Sequence, residues 1–247
     1  MTFIVVVGLV ALGCYAYHWE NRKPLLEVNF FSLNRGRAIF IRTPKNKTIL
    51  IGGGQNSEAI QKLTSEMPFY RHNLDTVIIP SAVPAQIGGL IEIIDRYEVG
   101  EVIIPATIAT STVLNELMKD IRSKKIHIKE VERGDEIEIE RDLKIHVLFP
   151  NKDFKFNKTS VPELGIELEY QKTHAFLIGN LSKTIQKDIR QDIKVKDSQN
   201  IVEFYNSMAD GKVSEELLEL INPIFTWNTK EKTTRVISDG FSWNQRD

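Results

Sequence analysis

Cysteine is almost missing from this sequence: Cys14 stands alone, which excludes an internal disulfide framework and any cysteine-rich zinc module. Net charge is almost missing too. Against Lys+Arg 32 stand Asp+Glu 33, a formal charge of -1, so no global field draws in nucleic acid or an anionic membrane. Nucleic-acid binding would need a local patch, and the lysines at 119–129 and 152–158 are interspersed with acids and apolar residues, as on solvated faces. Histidine is sparse. His18, His72, His127, His146 and His174 share no ligand spacing, so surface or internally satisfied imidazoles are the default reading. Internal repeats, low-complexity tracts and linkers are absent, and nothing marks a domain boundary beyond the N-terminus.

What is present suits one globular domain. The chain has 247 residues, 42% apolar and 26% charged, enough to bury a core without covalent staples. One long apolar run breaks the patterning, from Phe3 to Tyr17, closing on His18-Trp19-Glu20-Asn21-Arg22-Lys23. It nearly spans a bilayer, so residues 1–23 are expected to form a transmembrane anchor or uncleaved signal, touching the membrane through residues 2–19. A cleaved signal peptide normally carries a basic n-region, which is lacking here, and Ala11-Leu12-Gly13-Cys14 is an imperfect lipobox. Residues 24–247 then form a single domain. Arg22 and Lys23 follow the run and by the positive-inside rule vote weakly for a cytoplasmic domain.

Strand-like runs fall at Leu26 to Phe31, Ala38 to Arg42, Thr48 to Ile51, Asp75 to Ile79 and Glu101 to Pro105. Helical periods follow Ser57, occupy Leu90 to Tyr97, and run from Val113 to Arg122 behind a cap at Ser111 or Thr112. That alternation predicts an α/β architecture. Turn-linked β runs at Ile126 to Val131, Ile137 to Glu140, Leu143 to Phe149, Glu163 to Tyr170 and Ala175 to Gly179 suggest a second sheet. Leu181 to Asp197 is polar with a weak helical period, Ser214 caps Glu215 to Ile221, and strand character returns at Ile224 to Trp227 and Arg235 to Ser238, ending at Asp239-Gly240.

The chain is organised around Asp75 to Gly89: a β-branched strand, the irregular turn Pro80-Ser81-Ala82-Val83-Pro84, and Ile87-Gly88-Gly89-Leu90 leading into a helix. Gly52-Gly53-Gly54 lies between another strand and helix, where backbone N–H groups could cradle a phosphate. The pattern is one glycine short of the dinucleotide fingerprint, and a structural turn is the better reading. Arg35 and Arg37, with Gly52, Gly53 and Gly54, are the candidate anion contacts. Ser81 has no histidine near it in sequence and is a poor nucleophile candidate.

Phe30-Phe31-Ser32-Leu33-Asn34-Arg35-Gly36-Arg37-Ala38-Ile39, Thr48 to Gly54, Met67-Pro68-Phe69-Tyr70, Gly134-Asp135 and Phe176-Leu177-Ile178-Gly179-Asn180 occur in an order that resembles the metallo-β-lactamase-like domain of ComEC-type DNA-internalisation competence proteins. The resemblance implies an α/β fold: an αββα sandwich of two mixed β-sheets with helices outside, following the N-terminal membrane helix. It also implies a two-metal hydrolase acting in DNA uptake, with zinc or manganese as cofactor. Aligned on Ile87-Gly88-Gly89-Leu90, however, the family's H-x-H-x-D-H ligands fall on Ser81, Val83, Ala85 and Gln86, and its bridging aspartate falls on Asn180. Ser32, Arg37 and Gly52 stand where the family has aspartates, and its H-H-G-S segment falls near Ser207 to Lys212.

A two-metal centre needs imidazoles and carboxylates that hold cations about 3.5–4 Å apart, and Val83 and Ala85 donate nothing. The expectation is therefore a degenerate member without metal or catalytic residues, acting as a binding or scaffolding pseudo-hydrolase for a protein partner. The alternatives are a metal-dependent phosphodiesterase or nuclease of DNA uptake, and an anion or nucleotide site in the former socket. Anchored relatives of the resembled family generally face outward, implying a single-pass protein with an extracytoplasmic domain.

Overall fold

The computed structural model describes residues 25–155, 163–195, 197–204, 213–228 and 233–246. The expected anchor at 1–23 and the segment Ser207 to Lys212 lie outside them. Among the described residues no helix is long and apolar enough to cross a membrane.

In chain order the first half holds β1 (Leu26–Phe31), β2 (Ala38–Arg42), β3 (Thr48–Ile51), α1 (Glu58–Glu66), β4 (Asn73–Ile78), α2 (Pro84–Arg96), β5 (Glu98–Pro105), α3 (Thr112–Ser123) and β6 (His127–Val131). There follow β7 (Glu136–Glu140), β8 (Leu143–Phe149), β9 (Gly165–Tyr170), β10 (Thr173–Gly179), α4 (Lys183–Ile189) and β11 (Gln199–Phe204). The chain closes with α5 (Glu215–Ile221), β12 (Phe225–Asn228), β13 (Thr234–Ser238) and β14 (Trp243–Arg246).

The strands form two mixed sheets. One runs β14-β13-β1-β2-β3-β4-β5-β6 and the other β12-β11-β10-β9-β8-β7. Their facing sides share one apolar core that includes Val28, Ile49, Ile145 and Leu177, and across it Phe30 of β1 stacks on Trp227 of β12 at 4.7 Å between ring centres. A second core packs α1, α2 and α3 on the outside of the first sheet, and a third packs α4 and α5 on the outside of the other. Three cores between four layers is the αββα sandwich. The helices are built for this: α3 buries Leu114, Leu117 and Ile121 at helical spacing, and Ser111 caps it by accepting from the Leu114 N–H at 3.1 Å.

Strand directions give the sandwich two unlike ends. In the first sheet β1 and β3 to β6 run the same way, and in the second so do β10, β11 and β12. Both sheets start at one end, because Thr173 Oγ1 at the head of β10 meets Ser238 Oγ at 2.7 Å, and Ser238 pairs with Leu26 at the head of β1. That end is the base. The carboxyl ends of these strands make the opposite end, the rim, where ligands bind in open α/β sheets.

Several boundaries differ from the sequence reading. The helix read as Leu90 to Tyr97 begins at Pro84, whose fixed φ suits a first helical position, so Ala85 and Gln86 lie in the first turn of α2 rather than on the loop. Glu163 precedes β9 instead of opening it. The elements α4, β11 and β14 went unread: α4 is a two-turn polar helix, β11 contains an acid, and β14 buries only Trp243.

Candidate functional site

Six chain segments converge at the rim: the turn after β1, the Gly52–Gly54 turn after β3, the Pro80–Val83 turn after β4, the segment before β9, the end of β10 and the end of β11. The α2 helix is pressed into this meeting point. A Cβ on Gly89 would lie 2.1 Å from the Gly53 carbonyl oxygen, so the Gly88-Gly89 pair is what lets the helix approach the Gly52–Gly54 turn. All three N–H groups of that turn are engaged, donating to Ile78, Gln86 and Arg37 carbonyls at 3.0, 2.8 and 3.1 Å. They face the protein, and an anion there would have to displace these contacts.

At the centre lies a guanidinium. Arg37 is 1% exposed, its Nη1 donates to Glu203 Oε2, and its Nε sits 2.7 Å from Glu163 Oε2 in an ion pair poorly aligned for a hydrogen bond. Gln86 closes the group by donating from Nε2 to Glu163 Oε1 at 2.8 Å. Glu163, Glu203 and Gln86 are all buried, and neither Glu203 Oε1 nor Gln86 Oε1 has a hydrogen-bond partner among the described residues. Gly179, at φ +50, supplies the last wall: a Cβ there would lie 2.5 Å from Glu163 Oε2 and 2.9 Å from Arg37 Nη2.

Charge in this cluster is set by burial and mutual attraction. Burial alone would lower the Arg37 guanidinium, but Glu203 and then Glu163 outweigh it and hold the group above its ordinary value. Burial pushes the Glu163 carboxyl up, against the pull of Arg37 and with the help of Glu203. Glu163 therefore takes up a proton more readily than an ordinary glutamate, which moves the cluster towards one negative charge for one positive.

The sequence-derived positions are partly brought together. Ser81 is buried, and its Oγ accepts from the Val83 N–H at 3.3 Å; among the described residues no imidazole is hydrogen-bonded to it as a nucleophile's base would be. Gln86 faces the cluster, whereas Val83 and Ala85 bring no polar side-chain atom, and Asn180 is half-buried beside Gly179. Arg35 is exposed and apart from its buried neighbour Arg37. Glu163 and Glu203 were missed by sequence reasoning. The signal for Glu203 was one acid inside the apolar run Ile201-Val202-Glu203-Phe204; for Glu163 no such signal existed.

The described histidines lie away from the rim cluster. His72 and His127 sit at the base, at the starts of β4 and β6. His146 Nε2 meets Glu169 Oε2 at 2.7 Å and His174 Nδ1 meets Glu167 Oε1 at 2.6 Å, in a polar cleft of about 600 Å³ on the outer face of the second sheet. Each imidazole is matched by a carboxylate, the satisfied state expected of them. Among the described residues no three His, Cys, Asp or Glu side chains are grouped to hold a metal ion.

No protein-family model matches the chain, and no curated protein sequence does. Solved structures match its fold. The metallo-β-lactamase-fold protein YhfI from Bacillus subtilis is similar over 83% of this chain and 86% of its own, with a TM-score of 0.58 at 10% identity. A diphosphatase of the PhnP family is similar over the same shares, with a TM-score of 0.51 at 11% identity. CmlA, a diiron β-hydroxylase from Streptomyces venezuelae, matches 83% of this chain but only 44% of its own, with a TM-score of 0.51 at 13% identity. The two mixed sheets, their flanking helices and this likeness make the chain a protein of the metallo-β-lactamase fold.

Proposed function

We propose that this chain is a membrane-tethered pseudo-hydrolase: a metallo-β-lactamase-fold domain without metal or catalysis that binds or scaffolds a protein partner. The observation that carries this reading is the Arg37 guanidinium buried between Glu163 and Glu203 at the rim, in contact through Glu163 with Gln86, a position where the resemblance implies a metal ligand. The donors present do not fit a metal pair. Two carboxylates, one of them raised towards protonation, are already balanced by a fixed cation, and a dication beside that guanidinium meets like charge. Ser81, Gln86 and Asn180 add only neutral oxygens, and Val83 and Ala85 add none.

Elemental analysis of the purified full chain tests the proposal. Zinc, manganese and iron should each fall far below one ion per chain, and incubation with single-stranded DNA in excess manganese should leave the DNA intact. Stoichiometric tightly held metal, or metal-dependent cleavage, overturns the reading.

A further inference from the structure

Among the described residues, five large apolar side chains are conspicuously exposed: Phe69 (91%), Tyr70 (73%), Phe241 (59%), Ile224 (52%) and Leu220 (37%). They come from three separate stretches of chain, yet every one lies at the base. Phe69 and Tyr70 occupy the link between α1 and the head of β4, where their rings meet edge to face at 5.5 Å. Phe241 tips the β13–β14 turn, beside Gly240, whose carbonyl accepts from Lys172 at the head of β10. Ile224 immediately precedes β12 and its N–H donates to Asn200 at 2.9 Å, and Leu220 lies in the last turn of α5, whose Ile221 carbonyl accepts from Asn200 Nδ2 at 2.6 Å. None is at the rim.

The N-terminal segment joins the domain at the same end. It enters β1 at Leu26, and β1 lies between β13 and β2, hence between Phe241 on one side and the Phe69-Tyr70 tip on the other. The link to the tip is direct: Arg42 Nη1 holds Glu27, the second residue of β1, at 3.0 Å, and Arg42 Nη2 holds the Glu66 carbonyl at 2.5 Å, three residues before Phe69. From β13 to β4 is four strand spacings, about 19 Å. That breadth suits a flat surface better than a single side-chain pocket.

We infer that the base of the sandwich is a lipid-facing surface that seats the domain on the bilayer. The inference rests on the N-terminal anchor proposed above and goes beyond it by naming the residues that touch lipid. The sequence that leads into β1 contains the apolar run 3–17, and β1 begins at the base, so lipid is the apolar phase that the proposed anchor would bring to this end. The amphipathic ring of Tyr70 suits the headgroup level, and the rings of Phe69 and Phe241 suit the acyl boundary beneath it. Exposed lysines stand among them, Lys45 on the β2–β3 turn and Lys172 on the β9–β10 turn, placed to meet anionic headgroups. With the base on the membrane, the Arg37 rim and the β10 end point away from it.

Single-cysteine variants of the full chain test this in a Cys14→Ser background. Phe69→Cys, Phe241→Cys and the rim control Lys183→Cys are labelled with an environment-sensitive fluorophore and reconstituted into phosphatidylcholine–phosphatidylglycerol vesicles. The expected result is a blue shift and quenching by acyl-brominated lipid at 69 and 241, with an aqueous spectrum at 183. Chains that float with the vesicles but show aqueous spectra at all three positions overturn the lipid-facing base and leave the anchor standing. Failure to float overturns both. A blue shift at 241 that grows with protein concentration in detergent, without vesicles, assigns the face to a second copy of the chain and also overturns the inference.

Discussion

Arg37 and Glu203 lie 166 residues apart in sequence and form a buried ion pair at the rim, with the guanidinium 1% and the carboxylate 0% exposed. Removing the guanidinium leaves two carboxylates without a counter-charge in a site that water does not reach. Arg37→Met should cost about 3–5 kcal/mol of unfolding free energy. Arg37→Lys should recover little of it, because an ammonium cannot contact Glu163 and Glu203 through one planar fork. Urea denaturation checks both, and a loss within the scatter of surface substitutions, about 0.5 kcal/mol, would mean the pair is dispensable.

Glu163 provides a pH signature. Its carboxyl is raised by burial, so the folded state holds this proton more tightly than the unfolded chain does. A raised folded pKa contributes stability that is fully present below the unfolded value and is lost as pH rises through the folded one. Glu163→Gln mimics the protonated form and cannot titrate. The wild-type advantage over Glu163→Gln should therefore shrink as pH rises from acid towards neutrality, read from urea midpoints across that range. An advantage that grows with pH would place the charged form of Glu163 in the fold.

The framework of this site was legible in the sequence, and its contents were not. Strands β1 to β5 announce themselves by apolar runs rich in β-branched and aromatic residues, and Ile87-Gly88-Gly89-Leu90 reads as leading into a helix. That Gly89 lets this helix approach the Gly53 carbonyl, 2.1 Å from where a Cβ would lie, shows only in the structure. A polar strand such as β14 carries no such mark, because its single buried residue, Trp243, gains its place only by pairing with β13. Glu203 and Arg37 look unrelated along the chain. Their partnership exists only once β11 and the turn after β1 meet at the rim, a long-range contact that local pattern does not encode. The same lack of local signal hid Glu163, whose role depends on Arg37 and Gln86 arriving from two other elements.

The approach of α2 to the Gly52–Gly54 turn predicts a steep penalty for one methyl group. Gly89→Ala would place its Cβ against the Gly53 carbonyl oxygen, a backbone atom fixed by the Gly53 N–H bond to Gln86. Either the helix retreats or the turn opens, at about 1–3 kcal/mol or more. Thermal unfolding would show the loss, and a substitution in an exposed helix interior, such as Lys119→Ala in α3, should show almost none.

The last prediction separates stability from specificity. Breaking a buried ion cluster is costly, yet replacing the whole cluster with apolar groups of similar volume is often neutral or stabilising. Arg37→Met, Glu163→Leu and Glu203→Leu combined should therefore unfold at a denaturant midpoint no lower than wild type, although Arg37→Met alone is strongly destabilised. Because the three charges tie together the turn after β1, the segment before β9 and strand β11, their loss should still loosen the rim. Amide exchange of the Gly52–Gly54 and Gly179 backbone should accelerate in the triple variant while exchange in the β1–β2 and β9–β10 ladders stays unchanged. A triple variant as unstable as Arg37→Met would instead mean that the cluster stabilises the fold through its own hydrogen-bond geometry.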